Sequence, residues 1–294
     1  MKAMQHIDII VPTYNRQEDI NRFVDEILKQ DYPFFSVYFI DDCSNPPVIL
    51  PKDSPKFNLI RLNKNEGQAS ARNYGIKAGK GDIIVSMDDD AWFLDDPSAL
   101  SKIPSYFIEP SVGCVMFDVI TPQDKWISDD RKLLDSQEIG SHITCSCAYR
   151  REAIEKIKGF NKILHSCAEE TDLTLRLLVQ GYKIIFGEKI KVFHNYVPTI
   201  RTNQWYRKFC GNNVRNNLII ILLYYPLYLI IPHFFGKFFS YLWYVVIKNG
   251  RDRWISGLYC FFGFFHVFVN IGFIIKNRQS VNSISFKKWL KIRW

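Results

Sequence analysis

An α/β fold built on a largely parallel sheet is predicted by three features of this sequence. Short apolar, β-branched runs recur, amphipathic segments separate them, and three of the runs end in polar or acidic clusters. Ile7–Val11 stops at Pro12, as a buried strand leaving a sheet does. Around Asn21–Lys29, the residues Ile20, Phe23, Val24, Ile27 and Leu28 keep helical spacing and predict an amphipathic helix. Val37–Ile40 reads as a second buried strand running into Asp41 and Asp42. Residues 43–58 hold Ser, Asn and several prolines and read as loop. Asn58–Leu62 is a third strand, and Gln68–Ala78 is a helix stopped by Gly79 and Gly81. Ile83–Met87 is a fourth strand and ends in Asp88, Asp89 and Asp90. Ligands gather at the carboxyl ends of such strands. Here those ends carry Thr13-Tyr14-Asn15, Asp41-Asp42 and the aspartate triplet.

Val112–Ile120 returns as a strand, and the polar stretch 121–142 is the expected place for a mobile loop over the site. Ile143–Tyr149 is apolar, and Arg150–Lys158 reads as a helix ending at Gly159. Glu169–Gln180 puts Leu173, Leu177 and Leu178 on one helical face before the stop at Gly181. Lys183–Phe186 and Lys191–His194 read as short strands. The seven cysteines are at 43, 114, 145, 147, 167, 210 and 260; the one close pair, C-x-C at 145 and 147, lacks metal-site spacing. Reduced core thiols are expected. Ile7–Val11 is too short for the apolar region of a cleavable signal peptide, and none is expected.

The composition changes after residue 200. That tail has 14 Lys or Arg against one acid, Asp252, for a net +13, whereas the first 200 residues carry about −5. Leu218–Phe235 is 18 residues without a formal charge, interrupted by Pro226 and Pro232. Phe238–Ile247 is apolar again, and Trp254–Ile275 is a second uncharged stretch of 22 residues. Each long stretch suffices for a bilayer crossing at about 20 residues. Arg215, Lys248, Arg251, Arg253, Lys276 and Arg278 flank the stretches on both sides, so crossing and interfacial helices both stay open. Charges that bracket apolar runs, without forming a continuous basic stripe, predict a membrane surface as partner and no nucleic acid. The expected division is a catalytic domain at 1–200 and a basic, aromatic, helical region at 201–294.

Three adjacent carboxylates at a strand end repel one another unless a cation or strong donors compensate. In extended chain Asp88 and Asp90 point the same way and present oxygen ligands suited to Mg²⁺ or Mn²⁺; a solvated acidic turn is the alternative. Glu169, Glu170 and Asp172 open a helix, where the helix dipole favours anions, so a capping role competes with a chemical one.

The stretch Ile7-Asp8-Ile9-Ile10-Val11-Pro12-Thr13-Tyr14-Asn15-Arg16 resembles the opening of family 2 glycosyltransferases of the GT-A fold, of the bacterial polysaccharide and glycan-biosynthesis type. So do Phe39–Ser44, Asn65–Ile76 and Gly81–Asp90, in the same order and spacing. The likeness continues through Gly159-Phe160 and Glu169–Leu173 to His194 and covers about the first 200 residues. It implies a nucleotide-sugar half at about 1–95 and an acceptor half at about 96–200. Pro12, Thr13 and Asn15, with Asp41 or Asp42, would line the base and ribose pocket, and Arg72 would meet the nucleotide. Asp88 and Asp90 match the D-x-D motif that holds Mn²⁺ or Mg²⁺ on the diphosphate, with His194 at the metal or diphosphate and Asp89 at the donor sugar. Glu170 would be the general base, with Asp172 second and Glu169 in the same cluster. Glu170 stands where the family commonly has Asp, Ala168 where Gly is common, and Asn161-Lys162 where Asp-Glu usually follows Gly-Phe.

The implied activity is inverting, metal-dependent transfer of a sugar, from a UDP-sugar first among donors, to a hydroxyl of a glycan or lipid-linked acceptor. It would take place at the cytoplasmic face of the cell membrane. A polyprenyl-phosphate glycosyl synthase is the nearest rival. A non-catalytic adaptor would show lost carboxylates, and here the set is complete; a nucleic-acid binder would carry excess Lys and Arg in the first 200 residues, where acids prevail.

Overall fold

All seven residues of Ile7–Thr13 (β1) are buried, as expected of a central strand covered on both faces. In the computed structural model, residues 4–122, 126–164, 167–196, 202–248 and 252–292 are described. They form two compact units: Met1–Phe160 with Gln180–Val197 and Ile292–Trp294, and Asn161–Val179 with Pro198–Lys291. The expected boundary at residue 200 lies outside the described residues, and the division differs from expectation in one respect. The segment carrying Glu169, Glu170 and Asp172 belongs with the C-terminal helices, because Leu164 and Leu175 are buried in the same apolar cluster as Val214, Leu218 and Trp289.

In the first unit β1 is followed by Gln17–Ile27 (α1), Phe35–Asp41 (β2), Phe57–Arg61 (β3), Gln68–Ala78 (α2) and Ile83–Met87 (β4). Then come Ala91–Phe93 (β5), Ala99–Tyr106 (α3), Val112–Ile120 (β6), Ile127–Arg131 (α4), Glu138–Ile139 (β7), Ser146–Arg150 (β8), Arg151–Lys156 (α5) and Lys183–His194 (β9). The strand order is β3-β2-β1-β4-β8-β6-β9-β5, with β7 paired to β9. The first four strands are parallel, and β8 runs antiparallel between β4 and β6. The chain leaves β1 toward β2 on one side and returns to β4 on the other, so the strand order reverses at β1. A crevice at that switch point is where open α/β sheets take their ligands.

Local sequence explains these elements. Ile20, Phe23, Val24 and Ile27 of α1 are buried, and Phe23 and Phe57 meet Phe39 edge-on at 5.8 and 5.5 Å. The helix ends at Ile27, which leaves Leu28 40% exposed instead of in the predicted stripe. The two short strands expected at 183–186 and 191–194 are one strand whose register against β6 shifts at Phe117/Asp118. Within 121–142, the predicted mobile loop, α4 and β7 form, and residues 123–125 lie outside the described residues. Buried Asp118 ties α4 down by accepting from Ser128 N at 3.0 Å, Ser128 Oγ at 2.7 Å and Lys191 Nζ at 2.6 Å.

At the amino end of β1, buried Asp8 accepts from Gly81 N and from Arg151 Nη2, each at 2.6 Å. Arg151 also donates to the carbonyls of Gly81 and Ile76. The two stop glycines are needed for this approach. A Cβ on Gly79 would sit 2.3 Å from Asp8 Oδ2, and one on Gly81 would sit 2.7 Å from the His6 carbonyl.

The second unit is helical: Glu169–Val179 (α6), Asn203–Tyr224 (α7), Leu227–Trp243 (α8) continuing as a π-helical turn at Tyr244–Lys248, Arg253–Val269 (α9), Ile271–Asn277 (α10) and Ser283–Ile292 (α11). The run Leu218–Phe235 is not one helix, since Pro226 cannot continue α7 and Tyr225 before it is extended. Leu218–Tyr224 instead forms the buried end of α7. Leu227–Ile247 is long and apolar enough to cross a bilayer, with 17% of its most apolar stretch buried. The pair α9 and α10 passes the same test only jointly and is bent by 57°. Tyr228, Phe239, Trp243, Trp254, Phe262 and Phe265 are exposed. Where α7 and α9 cross, a Cβ on Gly263 would lie 2.2 Å from the Gly211 carbonyl, so the two backbones are in contact. Arg278 caps α7 by donating to the carbonyls of Leu222 and Tyr225.

Candidate active site

Parallel pairing of β1 with β2 and with β4 brings the tips of three strands together, and the triplet follows β4 directly. The turn after β1 is tied to the turn after β2. Asn15 sits at φ 56°, a conformation Asn tolerates, its N–H donates to Ser44 Oγ at 2.8 Å, and its Oδ1 accepts from Asn45 N at 2.7 Å. Arg16 then reaches the triplet, with Nη1 donating to Asp90 Oδ2 at 2.6 Å and to Asp89 Oδ1 at 3.1 Å. His194, at the end of β9, places Nε2 3.2 Å from Asp90 Oδ1. Arg72 donates to Ser86 Oγ at 3.0 Å and to Asp88 Oδ1. Three like charges thus stand together because each faces a positively charged or polar partner.

The electrostatics differ along the triplet. Burial pushes the Asp89 carboxyl up to about 7, against the pull of Arg16. Burial also disfavours charge on Asp90, but His194 and Arg16 outweigh it and hold its pKa below the ordinary value. For His194 burial opposes protonation, yet the contact with Asp90 prevails and raises its pKa.

Several predicted residues have settings that the sequence did not disclose. Asp41 is buried and accepts from Ser44 N at 2.8 Å, Val48 N at 3.3 Å and Arg61 Nη1 at 2.5 Å, so it shapes the turn after β2. Asp42 accepts from Glu66 N at 2.7 Å and Gly67 N at 2.8 Å and anchors the entry to α2. Arg72, expected against the nucleotide, is 1% exposed and donates to Asp88. Pro12 and Thr13 are buried at the end of β1, while Tyr14 and Asn15 are exposed. Arg16 is a site residue that sequence reasoning does not single out; the available signal is a cation three residues past the β1 tip, which here meets Asp89 and Asp90. Cys145 was read as a core thiol, and its Sγ lies 3.6 Å from His194 Nδ1. A carboxylate oxygen of Asp88, the Cys145 sulfur and a His194 nitrogen lie within 4.8 Å of one another. This donor set fits a divalent cation.

The acidic motif belongs to the second unit. Glu169 and Glu170 are half-buried in the first turn of α6. Asp172 is fully buried, accepting from Arg176 Nε at 2.8 Å, Tyr224 Oη at 2.7 Å and Asn161 Nδ2 at 3.3 Å. Such a carboxylate is a helix-to-helix tie. Ala168, in the place where the family commonly has Gly, stands at φ 64°, a conformation that is strained for a residue with a Cβ.

The glycosyl transferase family 2 model matches residues 8–158, and the model of glycosyl transferase family group 2 matches 141–275. An uncharacterized glycosyltransferase of Haemophilus influenzae is 31% identical over 216 residues, 67% of this chain and 71% of the relative. The chain belongs to glycosyltransferase family 2. This glycosyltransferase is also 34% identical over 94 residues to the poly(ribitol-phosphate) β-N-acetylglucosaminyltransferase TarS of Staphylococcus aureus, a match that takes in 30% of the chain but 16% of TarS. Among solved structures, TarS 1–349 in complex with UDP-GlcNAc aligns with a TM-score of 0.61 at 15% identity, covering 89% of this chain and 81% of that one. The mannosyltransferase PcManGT of Pyrobaculum calidifontis, in complex with GDP-Man and Mn²⁺, aligns with a TM-score of 0.59 at 19% identity, covering 88% and 74%. The glycosyltransferase therefore has the GT-A fold.

Proposed function

We propose that this enzyme moves a sugar, with inversion, from a nucleoside-diphosphate donor to a hydroxyl of a glycan or lipid-linked acceptor at the cytoplasmic face of a membrane. The observation that carries the reading is the meeting of the β1, β2 and β4 tips, where Arg16 gathers Asp89 and Asp90 and His194 approaches Asp90. The complexes of TarS with UDP-GlcNAc and of PcManGT with GDP-Man support a nucleotide sugar, with UDP the first candidate. The turns at Thr13–Asn15 and 41–44 form the base and ribose side, with Asp41 and Asp42 holding those turns in shape. Asp88 and Asp90, with His194, would hold Mn²⁺ or Mg²⁺, which when bound stabilises the charge developing on the departing diphosphate.

Glu170 takes the proton of the acceptor hydroxyl as that oxygen attacks the anomeric carbon from the face opposite the leaving group. Its half-buried place at the start of α6 suits this role better than that of Asp172, whose oxygens are engaged by Arg176, Tyr224 and Asn161. Glu170→Gln is expected to keep donor binding and to lower transfer to a hydroxyl by about 10²–10⁴-fold. Unchanged turnover would reassign the base. The general test is a panel of nucleotide sugars with and without Mn²⁺, reading released nucleoside diphosphate. Release from no member of the panel, with or without acceptor, would overturn the proposal.

A second reading, in which the acceptor is a lipid phosphate, is favoured by one feature of the helical unit. A cavity of about 490 Å³ beside the α7–α9 crossing is lined by Lys208, Arg215 and His266 together with Phe262 and Phe265. Basic pockets among apolar helices suit phosphate headgroups. An ionised acceptor needs no base, so this reading expects Glu170→Gln to leave turnover unchanged when a lipid phosphate is supplied.

A further inference from the structure

In the helical unit, the segment 226–278 leaves one end of α7 and returns to the same end. Gln279 N donates to the Leu223 carbonyl at 3.0 Å, Val281 N to the Tyr224 carbonyl at 2.8 Å, and Arg278 Nη2 to the Tyr225 carbonyl at 2.6 Å. The turn between α8 and α9 is held near the other end of α7, where Asp252 accepts from Arg207 Nε at 3.0 Å and Nη2 at 2.7 Å. Midway, Tyr241 Oη of α8 donates to Asn213 Oδ1 at 2.7 Å. The hairpin of α8 and α9 is thus tied along α7 over roughly 22 Å, the rise from Arg207 to Leu222. This part of α7 begins with Gln204, Arg207, Lys208, Asn212, Asn213 and Arg215. A hairpin standing upright in a bilayer would draw those side chains into hydrocarbon, where charged groups are costly. Leu227–Ile247 is long enough to cross, but its attachment to α7 forbids it.

The outward side of the hairpin is apolar. Every fourth residue along α8 and its π-helical turn, Leu227, Ile231, Phe235, Phe239, Trp243 and Ile247, is exposed. On α9, Trp254, Leu258, Phe261, Phe265 and Phe268 form an exposed stripe at helical spacing. The two sets meet at a groove of about 550 Å³, with Phe239, Trp243 and Ile247 on one wall and Trp254, Leu258 and Phe261 on the other. We infer that the α8–α9 hairpin lies in the plane of an anionic bilayer and seats the enzyme in one leaflet without crossing it, with lipid chains filling this groove. The inference rests on the proposed reading that the enzyme works at a cytoplasmic membrane face, and it fixes the mode of attachment. Charge selects lipid over a second copy of the chain. The tail carries a net +13, so pairing two copies through this face opposes like charges, whereas anionic headgroups neutralise them. Arg253 at the start of α9 and Lys276 near the end of α10 are exposed at the two ends of the apolar stripe. Trp243 and Trp254 flank the turn, and tryptophan settles at headgroup depth.

Flotation of the intact chain with preformed vesicles tests the surface. Wild type is expected to float with vesicles of phosphatidylglycerol and phosphatidylethanolamine, and at least about tenfold less with phosphatidylcholine alone. The double variant Leu258→Ser, Phe265→Ser should lower flotation by at least about tenfold. Its thermal melt should match wild type, because both side chains are already exposed. Topology is read with Arg253→Cys and a membrane-impermeant maleimide on inverted membrane vesicles, whose outer surface is the cytoplasmic one. This variant should take one more label than wild type without the vesicles being opened. A folded double variant that floats like wild type, or equal flotation on both lipid mixtures, overturns the inference. Labelling at 253 only after the vesicles are opened also overturns it, since the hairpin then crosses while the membrane location stands. If wild type is dimeric in lipid-free buffer and the double variant monomeric, the face belongs to a second copy and the inference fails. If wild type floats with neither mixture, the proposed membrane location falls with it, and nucleotide-sugar turnover decides the rest of the proposed function separately.

Discussion

Asp90→Ala is expected to lower sugar transfer by on the order of 10²–10³-fold while the protein stays folded. The Asp90 carboxylate is where the site's charges meet, since it accepts from Arg16 Nη1 at 2.6 Å and faces His194 Nε2 at 3.2 Å. Without it, His194 loses the partner that favours its protonation, and Arg16 keeps Asp89 and the more distant Asp19 as anionic partners among the described residues. Folding should be spared for two reasons. The backbone carbonyl of Asp90, which accepts from Asn195 N at 2.8 Å, is retained by Ala, and removing one of three adjacent carboxylates relieves like-charge repulsion. Steady-state kinetics alongside a thermal melt is the check, and undiminished turnover with an unchanged melt would remove Asp90 from the catalytic machinery.

Asp8→Ala should do the opposite, costing about 3–5 kcal/mol of stability and leaving the chemistry of the surviving folded molecules alone. Asp8 is 1% exposed and sits at the far end of β1 from the site. The Arg151 side chain, 12% accessible, would be left with Glu155 and the carbonyls of Gly81 and Ile76 as its partners among the described residues. Gly81 N would lose its acceptor as well. For a domain of this size the expected fall in Tm is roughly 10 °C. A melt within a degree or two of wild type would show that the ion pair is solvated and weak.

Much of the architecture was legible because strand ends are written in short, local patterns. The helix of Ile20, Phe23, Val24 and Ile27 and the strands meeting at 13, 41 and 88 follow from periodicity alone. Side-chain partners were not legible: that Asp41, Asp42 and Arg72 pair with Arg61, Gly67 N and Asp88 shows only once the fold is seen. Those partners come from other elements and depend on tertiary pairing. Cys145 shows the same effect, because its group is completed by residues 57 and 49 positions away in the chain. The uncharged run 218–235 divides between α7 and α8 at Pro226, the interruption visible in the sequence, because that residue has no amide hydrogen to continue α7.

The tie between Asp172 and Tyr224 bears on how this protein can be handled. A fragment ending near residue 200 would keep the β-sheet and the aspartate triplet but would strip α6 of the helix that anchors it. Asp172 and Arg176 would then face water, and Leu175 would lose the apolar surface it is packed against. Trimming the tail for easier expression would therefore leave Glu169, Glu170 and Asp172 on an unmoored helix.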